Sequence, residues 1–233
     1  MSNYERVLVA TQTALQQHII EHPILAHVEQ GHTTREEYLS YLTETYHMVR
    51  HTPRMLALAA ARLEDDQRGL RDWFLEQAEE EANHDIFCIK DIRHLGYEPA
   101  QILDRPPLPG SWGLVAQNYY MATYGRPEGI LGVASLTEGL GASLAGRMAD
   151  ILNAKQDWPR NTTTFLRSHS GFDAQHLEDC KRAINALISS PEALHAVIQG
   201  RRMTIHLYAQ MFTNVLENPI QTAPLHSQTG LEA

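Results

Sequence analysis

The sequence contains little cysteine and few basic residues, and these shortages exclude several classes of protein. Only two of its 233 residues are cysteines, Cys88 and Cys180, so at most one disulfide could form, and we expect two reduced thiols. With 19 Lys and Arg against 28 Asp and Glu, the net charge is −9, which argues against nucleic-acid or anionic-membrane partners. No apolar run reaches the roughly 18 residues of a membrane span, and the amino terminus lacks a secretion-signal pattern. We therefore expect a cytoplasmic protein.

Strand patterns are also absent, because no segment alternates apolar and polar residues between turn signals. Helical periodicity runs along nearly the whole chain, and 43% hydrophobic residues can form a sizeable core. Long periodic segments with short joints predict an all-α bundle of seven helices. Their expected limits are 4–20, 34–63, 66–95, 112–124, 127–153, 159–189 and 191–217. We expect one domain over 1–217, a bend at Pro53 and a loose tail over 218–233.

The strongest chemical signal is the motif His169-x3-Asp173-x2-His176, whose spacing places three side chains on one stripe of a helix. Two imidazoles and a carboxylate on one stripe suit iron, manganese or zinc. Given 13 histidines in the chain, the motif is expected only ~0.03 times by chance. Aligned surface polar residues are the alternative explanation. A metal held here would need further ligands from facing helices.

Two other helices offer such ligands. Glu81 and His84 form an E-x-x-H pair, the repeated element of helical di-iron and di-manganese sites, although the same spacing recurs elsewhere in the chain. Glu138 stands in an otherwise apolar or small-residue helix, where a carboxylate must be protonated, paired or bound to metal. A tyrosine or arginine partner is the alternative for Glu138. Three carboxylates and three imidazoles fit two metals better than one, and favour iron or manganese over zinc.

This set resembles the haem-oxygenase-like di-metal oxidases and oxygenases, which share a seven-helix fold with TenA-type and PqqC-type proteins. The family pattern is a Glu and a His on one helix, a Glu on a later helix, and then H-x3-D-x2-H. It matches Glu81, His84, Glu138, His169, Asp173 and His176. The resemblance covers residues 10–217 and implies two Fe(II) ions that react with O2, with manganese as the alternative metal.

The same resemblance implies an oxidoreductase acting on a small molecule in a biosynthetic pathway. An amino acid or amine derivative is the first expected substrate, through N-oxygenation or C–C cleavage. Decarboxylation of a fatty acid, also found in this family, is the alternative. An external electron donor and a homodimer are further expectations.

Glu44 is a candidate additional ligand, since the N-oxygenating members of the family carry an extra Glu on an earlier helix. The alternative is a solvated Glu in a polar stretch, Thr43-Glu44-Thr45. In related folds the second helix lines the substrate cavity, and aromatic or histidine side chains on later helices add candidates. The expected pocket residues are Tyr46, His47, His51, Tyr120 and His206.

Two other functions stay open on the sequence. A TenA-like hydrolase would use a cysteine nucleophile and no metal. A ferritin-like or signalling protein would hold metal for storage or at a partner interface. The order of metal ligands along the chain in ferritin-like proteins is matched by Glu44, Glu81, His84, Glu138, Asp173 and His176. His169 has no counterpart in that order.

Overall fold

The computed structural model describes residues 1–155 and 157–225, and for residues 172–174 it describes the backbone alone. All regular structure in these ranges is helical, which confirms the all-α prediction. The α-helices are α1 (Asn3–Leu15), α2 (Pro23–Glu29), α3 (Arg35–Val49), α4 (Thr52–Ala61), α5 (Arg68–Glu80), α6 (Asp85–His94), α7 (Pro99–Leu103), α8 (Pro109–Thr123), α9 (Gly129–Leu140), α10 (Gly146–Asn153), α11 (Thr164–Leu187) and α12 (Pro191–Glu217). Of the tail expected over 218–233, residues 226–233 lie outside the described ranges.

Local signals account for most helix ends. The predicted capping box at Thr34 and Glu37 opens α3, with the Glu37 N–H donating to the Thr34 hydroxyl at 3.1 Å. The helix expected over 34–63 stops after Val49 and restarts as α4, in whose first turn Pro53 needs no hydrogen-bond donor. Two π-helical turns, Gln16–Ile20 and Gly141–Ala145, extend α1 and join α9 to α10.

Helix α12 packs closely against α9, the helix that carries Glu138. A Cβ atom on Gly132 would overlap the carbonyl oxygen of Val197, so only glycine permits this backbone contact. The buried Arg201 guanidinium then ties three helices together, donating to the hydroxyls of Thr11 at 3.2 Å and Ser135 at 2.9 Å. These contacts fix the position of α9 in the bundle.

Three clusters of apolar side chains meet around a cavity of about 240 Å³. Leu56 from the first cluster, Met148 from the second and Phe212, which packs against the third, all line this cavity. Among the described helices, none has both the length and the apolar character needed to cross a membrane.

Candidate metal centre

Glu81 and His84 lie in the turn between α5 and α6, so the prediction of one continuous helix over 66–95 was wrong. Asn83 in this turn has φ of 71°, a left-handed conformation that asparagine tolerates better than most residues and that ends the helical path. The turn brings the two side chains together, with His84 Nδ1 3.2 Å from Glu81 Oε2. Both side chains are mostly buried, with Glu81 13% exposed and His84 11% exposed.

Glu138 lies near the end of α9, just before the π-helical turn Gly141–Ala145. Such turns are frequent at functional sites because they alter the direction of side chains within a helix. The Oε2 atom of Glu138 is 3.4 Å from His176 Nδ1, and both side chains are mostly buried. An imidazole is therefore a close partner of Glu138, as a shared metal site would require.

The start of α11, which carries His169 and His176, is anchored by a carboxylate from another helix. Asp91 in α6 is fully buried and accepts hydrogen bonds from the backbone N–H groups of Thr164 at 2.8 Å and Phe165 at 2.9 Å. It thereby satisfies donors that the first turn of α11 leaves unpaired. This long-range cap fixes α11 relative to the turn that bears Glu81.

His169 is oriented with one ring nitrogen available for a ligand. Its Nδ1 donates to the Phe165 carbonyl at 2.9 Å, and its ring lies 4.0 Å from the Phe165 ring. Burial lowers the pKa of His169, which favours the neutral imidazole with its lone pair on Nε2. A backbone hydrogen bond of this kind commonly orients histidines that bind metals.

The side chains form two groups that share one carboxylate. Glu81, His84 and His169 form the first group, and Glu81, Glu138 and His176 form the second. Within each group the potential ligand atoms all lie within 4.8 Å of one another. The shared Glu81 stands where a carboxylate could bridge two ions. The prediction for Asp173 concerns a side chain outside the described part of the structure.

The electrostatics of the two groups favour a bound cation. Burial alone would raise the pKa of Glu81, but the hydrogen bond from His84 and the charges of the surrounding imidazoles lower it. The hydrogen bond to Glu138, against the opposing effect of burial, and the nearby carboxylates raise the pKa of His176 to about 9. Positive charge is therefore stabilised here, and oxygen with imidazole donors is the set that iron and manganese bind readily. The residues fit a di-iron or di-manganese centre.

Glu44 belongs to neither group, so the structure does not support it as an additional ligand. Its side chain is 3% exposed, and its Oε2 accepts the backbone N–H of Leu108 at 3.0 Å. The carboxylate thus caps the first turn of α8, a role that differs from both sequence hypotheses. Burial raises the pKa of Glu44 despite this hydrogen bond.

The cavity between the three clusters reaches the candidate metal groups. Glu81, Glu138 and His169 contribute to its wall, while most of the remaining lining is apolar. His27 and Glu37 also line it and pair with each other, with 2.9 Å between His27 Nε2 and Glu37 Oε2. The cavity is the candidate substrate pocket of this structure.

The predicted pocket residues on the second and later helices do not line this cavity. They are Tyr46, His47, His51, Tyr120 and His206. His47 and His51 line a separate groove, and Tyr46 packs edge-on against His47. Tyr120 is 62% exposed, and His206 is also exposed to solvent. None of the five therefore lines the candidate pocket, and their part in substrate binding stays a prediction.

The direction of α3 explains why the candidates on the second helix do not line the cavity. Successive side chains on a helix point about 100° apart, so a one-residue difference changes the surface that a side chain reaches. Met48, Val49 and Thr52 line the cavity, whereas His47 and Arg50 line the groove on the other side. The sequence identified the segment of chain that lines the cavity, but not the face of that segment which does so.

One acidic residue beside the candidate centre was missed. The Oε2 atom of Glu80 lies 3.5 Å from His176 Nε2 and accepts a hydrogen bond from Gln77 Nε2 at 2.6 Å. Glu80 stands in a run of three glutamates, and nothing in the pattern distinguishes it from Glu79, which is also exposed. Its side chain is 49% exposed, and only its position at the end of α5 brings it beside His176.

The chain also matches the model of a known protein family. The model of a family described as iron-containing redox enzymes matches residues 39–209, a segment that contains both candidate groups. The chain belongs to this family. Membership in the iron-containing redox enzymes confirms the suspected relationship and supports an oxidoreductase that uses iron.

Solved structures share the architecture of this iron-containing redox enzyme. One is a domain of unknown function with a heme oxygenase-like fold from Shewanella denitrificans, at 23% identity and a TM-score of 0.80, covering 92% of this chain and 90% of that one. A TenA homologue from P. horikoshii has 13% identity and a TM-score of 0.76, covering 93% and 99%. A TenA homologue from Pseudomonas syringae pv. tomato has 11% identity and a TM-score of 0.77, covering 92% and 93%.

At these identities the likeness establishes the fold alone. It confirms the predicted haem-oxygenase-like bundle, although several of the seven expected helices are divided by turns. No curated protein sequence matches the chain.

Proposed function

We propose that this chain is an O2-dependent, non-haem di-iron oxidase or oxygenase acting on a small molecule. The observation that carries the proposal is the pair of residue groups sharing Glu81 at the wall of a largely apolar cavity. Glu81, His84 and His169 would hold one ion, and Glu81, Glu138 and His176 the other. Iron bound by such ligands would activate O2, which is the oxidant, whereas the protein supplies orientation and exclusion of water.

The cavity suggests what kind of molecule is oxidised. Its predominantly apolar wall would bind an apolar body and exclude water from the reacting end. The pair of His27 and Glu37 offers a polar contact within the same cavity. We therefore propose an apolar amino acid or amine derivative as substrate. A fatty acid is the second candidate, because the apolar lining equally suits an alkyl chain.

The chain's own residues would prepare the site for this reaction. The hydrogen bond to the Phe165 carbonyl holds the His169 ring with Nε2 free to coordinate. Glu138 and the nearby carboxylates favour the protonated form of His176, so metal binding would displace a proton from the His176 ring. Manganese would suit the same donors and is the alternative metal.

A thiol-dependent hydrolase is disfavoured by the state of the two cysteines. Cys88 and Cys180 are fully buried in different apolar clusters. Burial raises the pKa of both thiols well above the usual value, whereas a nucleophilic cysteine needs a lowered pKa. Neither thiol is prepared for nucleophilic attack.

Anaerobic loading with Fe(II) or Mn(II), followed by O2, tests the proposal. We expect about two Fe(II) per chain, as in helical di-iron carboxylate sites, and iron-dependent O2 consumption. A panel of apolar amino acids, amines and fatty acids should contain compounds that accelerate O2 consumption and are themselves oxidised. Product analysis by mass spectrometry would distinguish N-oxygenation, C–C cleavage and decarboxylation.

The matched control is Glu44→Gln, which alters a buried carboxylate outside both candidate groups. This variant should bind iron and consume O2 like the parent chain. Iron uptake far beyond two ions per chain would indicate storage instead. Failure to bind iron, or equal O2 consumption with and without it, would contradict the proposal.

A further inference from the structure

A second hollow, here called the arginine groove, opens to solvent where α3 meets α4 and has a volume of about 520 Å³. Arg50 and Arg105 line it, together with the segment 103–107 and the first half of α8. It shares no lining residue with the cavity beside Glu81. The arginine groove is therefore a separate surface from the candidate substrate pocket.

The two arginines of the groove have unused donors. Arg50 donates from Nε to His51 Nε2 at 3.4 Å, and its guanidinium carbon lies 5.4 Å from the centre of the Tyr46 ring, but its terminal nitrogens make no hydrogen bond or ion pair with the described residues. The Arg105 side chain likewise has no such partner in the described ranges. Asp104 is the acidic residue of the lining, so two positive charges face one negative charge. This local excess of positive charge occurs on a chain whose net charge is −9.

The two histidines of the groove are neutral hydrogen-bonding groups. Burial, followed by the charge of Arg50, lowers the pKa of both His47 and His51. Because Arg50 donates to Nε2 of His51, this ring carries its proton on Nδ1, which lies 3.0 Å from the Tyr119 hydroxyl. His47 is 5% exposed and interacts with the Arg105 backbone, although its buried Nε2 makes no well-formed hydrogen bond with a described residue. A buried polar atom of this kind is costly unless a ligand or water satisfies it.

The groove also has a flat apolar wall. Trp112 contributes to the lining and is 63% exposed, whereas Trp73 and Trp158 are each 8% exposed. Pro106 and Pro107 lie in the same lining. An exposed indole beside guanidinium groups is typical of a binding surface for ligands that are part apolar and part charged.

We propose that the arginine groove binds a small organic anion, a carboxylate or phosphate attached to a flat apolar body. The guanidinium forks of Arg50 and Arg105 match the oxygen pairs of carboxylates and phosphates. Trp112 would contact the apolar body, and His47 would add a hydrogen bond from the base of the groove. The two anion classes share this chemistry, and the test separates them.

Titration of the full-length chain with benzoate, phenyl phosphate, inorganic phosphate and benzyl alcohol tests the proposal. Fluorescence would report on Trp112, the solvent-exposed tryptophan, and calorimetry would give the affinity without an optical signal. We expect saturable binding of benzoate or phenyl phosphate, and the tighter of the two identifies the class of anion. Inorganic phosphate should bind at least ~10-fold more weakly, and benzyl alcohol should not bind measurably.

Matched variants locate the binding. Arg50→Gln and Arg105→Gln should each weaken the aryl anion at least ~10-fold, whereas Arg93→Gln, at an exposed arginine of α6, should not. Glu81→Ala should leave the affinity unchanged, which separates the groove from the candidate metal centre. Equal binding of benzyl alcohol and benzoate, equal binding of inorganic and phenyl phosphate, or unchanged affinity in both groove variants would overturn the proposal.

Discussion

Two kinds of inward-facing carboxylate occur in this protein, and they differ in what satisfies them. Glu44 and Asp91 are almost completely buried and accept backbone N–H groups at the starts of α8 and α11. Glu81 and Glu138 are slightly more exposed and face imidazoles instead. The first pair stabilises helix ends, whereas the second pair forms a site for cations.

The difference shows that burial alone does not identify a metal ligand. A carboxylate at a helix start is already provided with donors whose positions are fixed by the backbone. A carboxylate among imidazoles can bind a metal together with them, because a protonated imidazole can lose its proton and become a ligand itself. The nature of the partner separates structural from functional carboxylates here, and substitutions can test that separation.

The largest effect is expected from Glu81→Ala, because Glu81 belongs to both candidate groups. This variant should lose both iron ions, while Glu138→Ala and His176→Ala should abolish O2-dependent turnover with the helices still folded. Metal analysis, O2 uptake and circular dichroism are the measurements. Full iron content in Glu81→Ala would remove the basis for a shared carboxylate.

Asp91→Ala should have the opposite profile. Two buried N–H groups at the start of α11 would lose their acceptor, which we expect to lower the free energy of unfolding by about 3 kcal/mol. Asp91→Asn keeps one acceptor oxygen and should lose less. Urea denaturation measures the stability, and iron content at low temperature should stay near that of the parent. Loss of iron from a folded Asp91→Asn chain would contradict the division into structural and metal-binding carboxylates.

A smaller effect is expected at the turn that presents Glu81 and His84. Asn83→Ala places a Cβ-bearing residue with poor tolerance of the left-handed region at φ of 71° and should cost about 1 kcal/mol. Asn83→Gly should be close to neutral because glycine adopts this conformation freely. Thermal unfolding of the two variants provides the comparison, and equal melting temperatures would argue against this role for Asn83.

The smallest effect concerns Glu44→Gln. Burial raises the pKa of Glu44 in the folded chain, so its protonated form is favoured by folding. The stability contributed by this proton is present below the unfolded pKa of about 4.5 and is lost as pH rises through the folded value. The parent chain should therefore lose stability relative to Glu44→Gln between these pH values. Paired urea titrations from pH 4 to 8 measure the difference, and a constant difference would contradict the raised pKa.

Much of the fold could be predicted because its signals are local. Pro191 at the start of α12 and the capping box at Thr34 mark helix starts that are visible in the sequence. The break at Asn83 could not be predicted in the same way, because asparagine is also compatible with an uninterrupted helix. The long-range caps provided by Glu44 and Asp91 depend on helices distant in sequence, so no local pattern reveals them.

The candidate site was predictable as a set of residue types, but the pocket was not. Spacing selected Glu81, His84, Glu138, His169 and His176, which the structure brings together. The face of α3 that lines the cavity depends on how that helix is rotated against its neighbours. The sequence therefore predicted the histidines His47 and His51 as pocket residues, whereas apolar residues such as Met48 form the cavity wall.

Anomalous diffraction at the iron edge, from crystals prepared anaerobically with Fe(II), tests the central claim most directly. The account predicts one iron peak beside Glu81, His84 and His169 and a second beside Glu81, Glu138 and His176. Glu81 should contact both peaks, and no iron should lie at Glu44. Iron bound elsewhere, or a single ion that does not contact Glu81, would contradict the account.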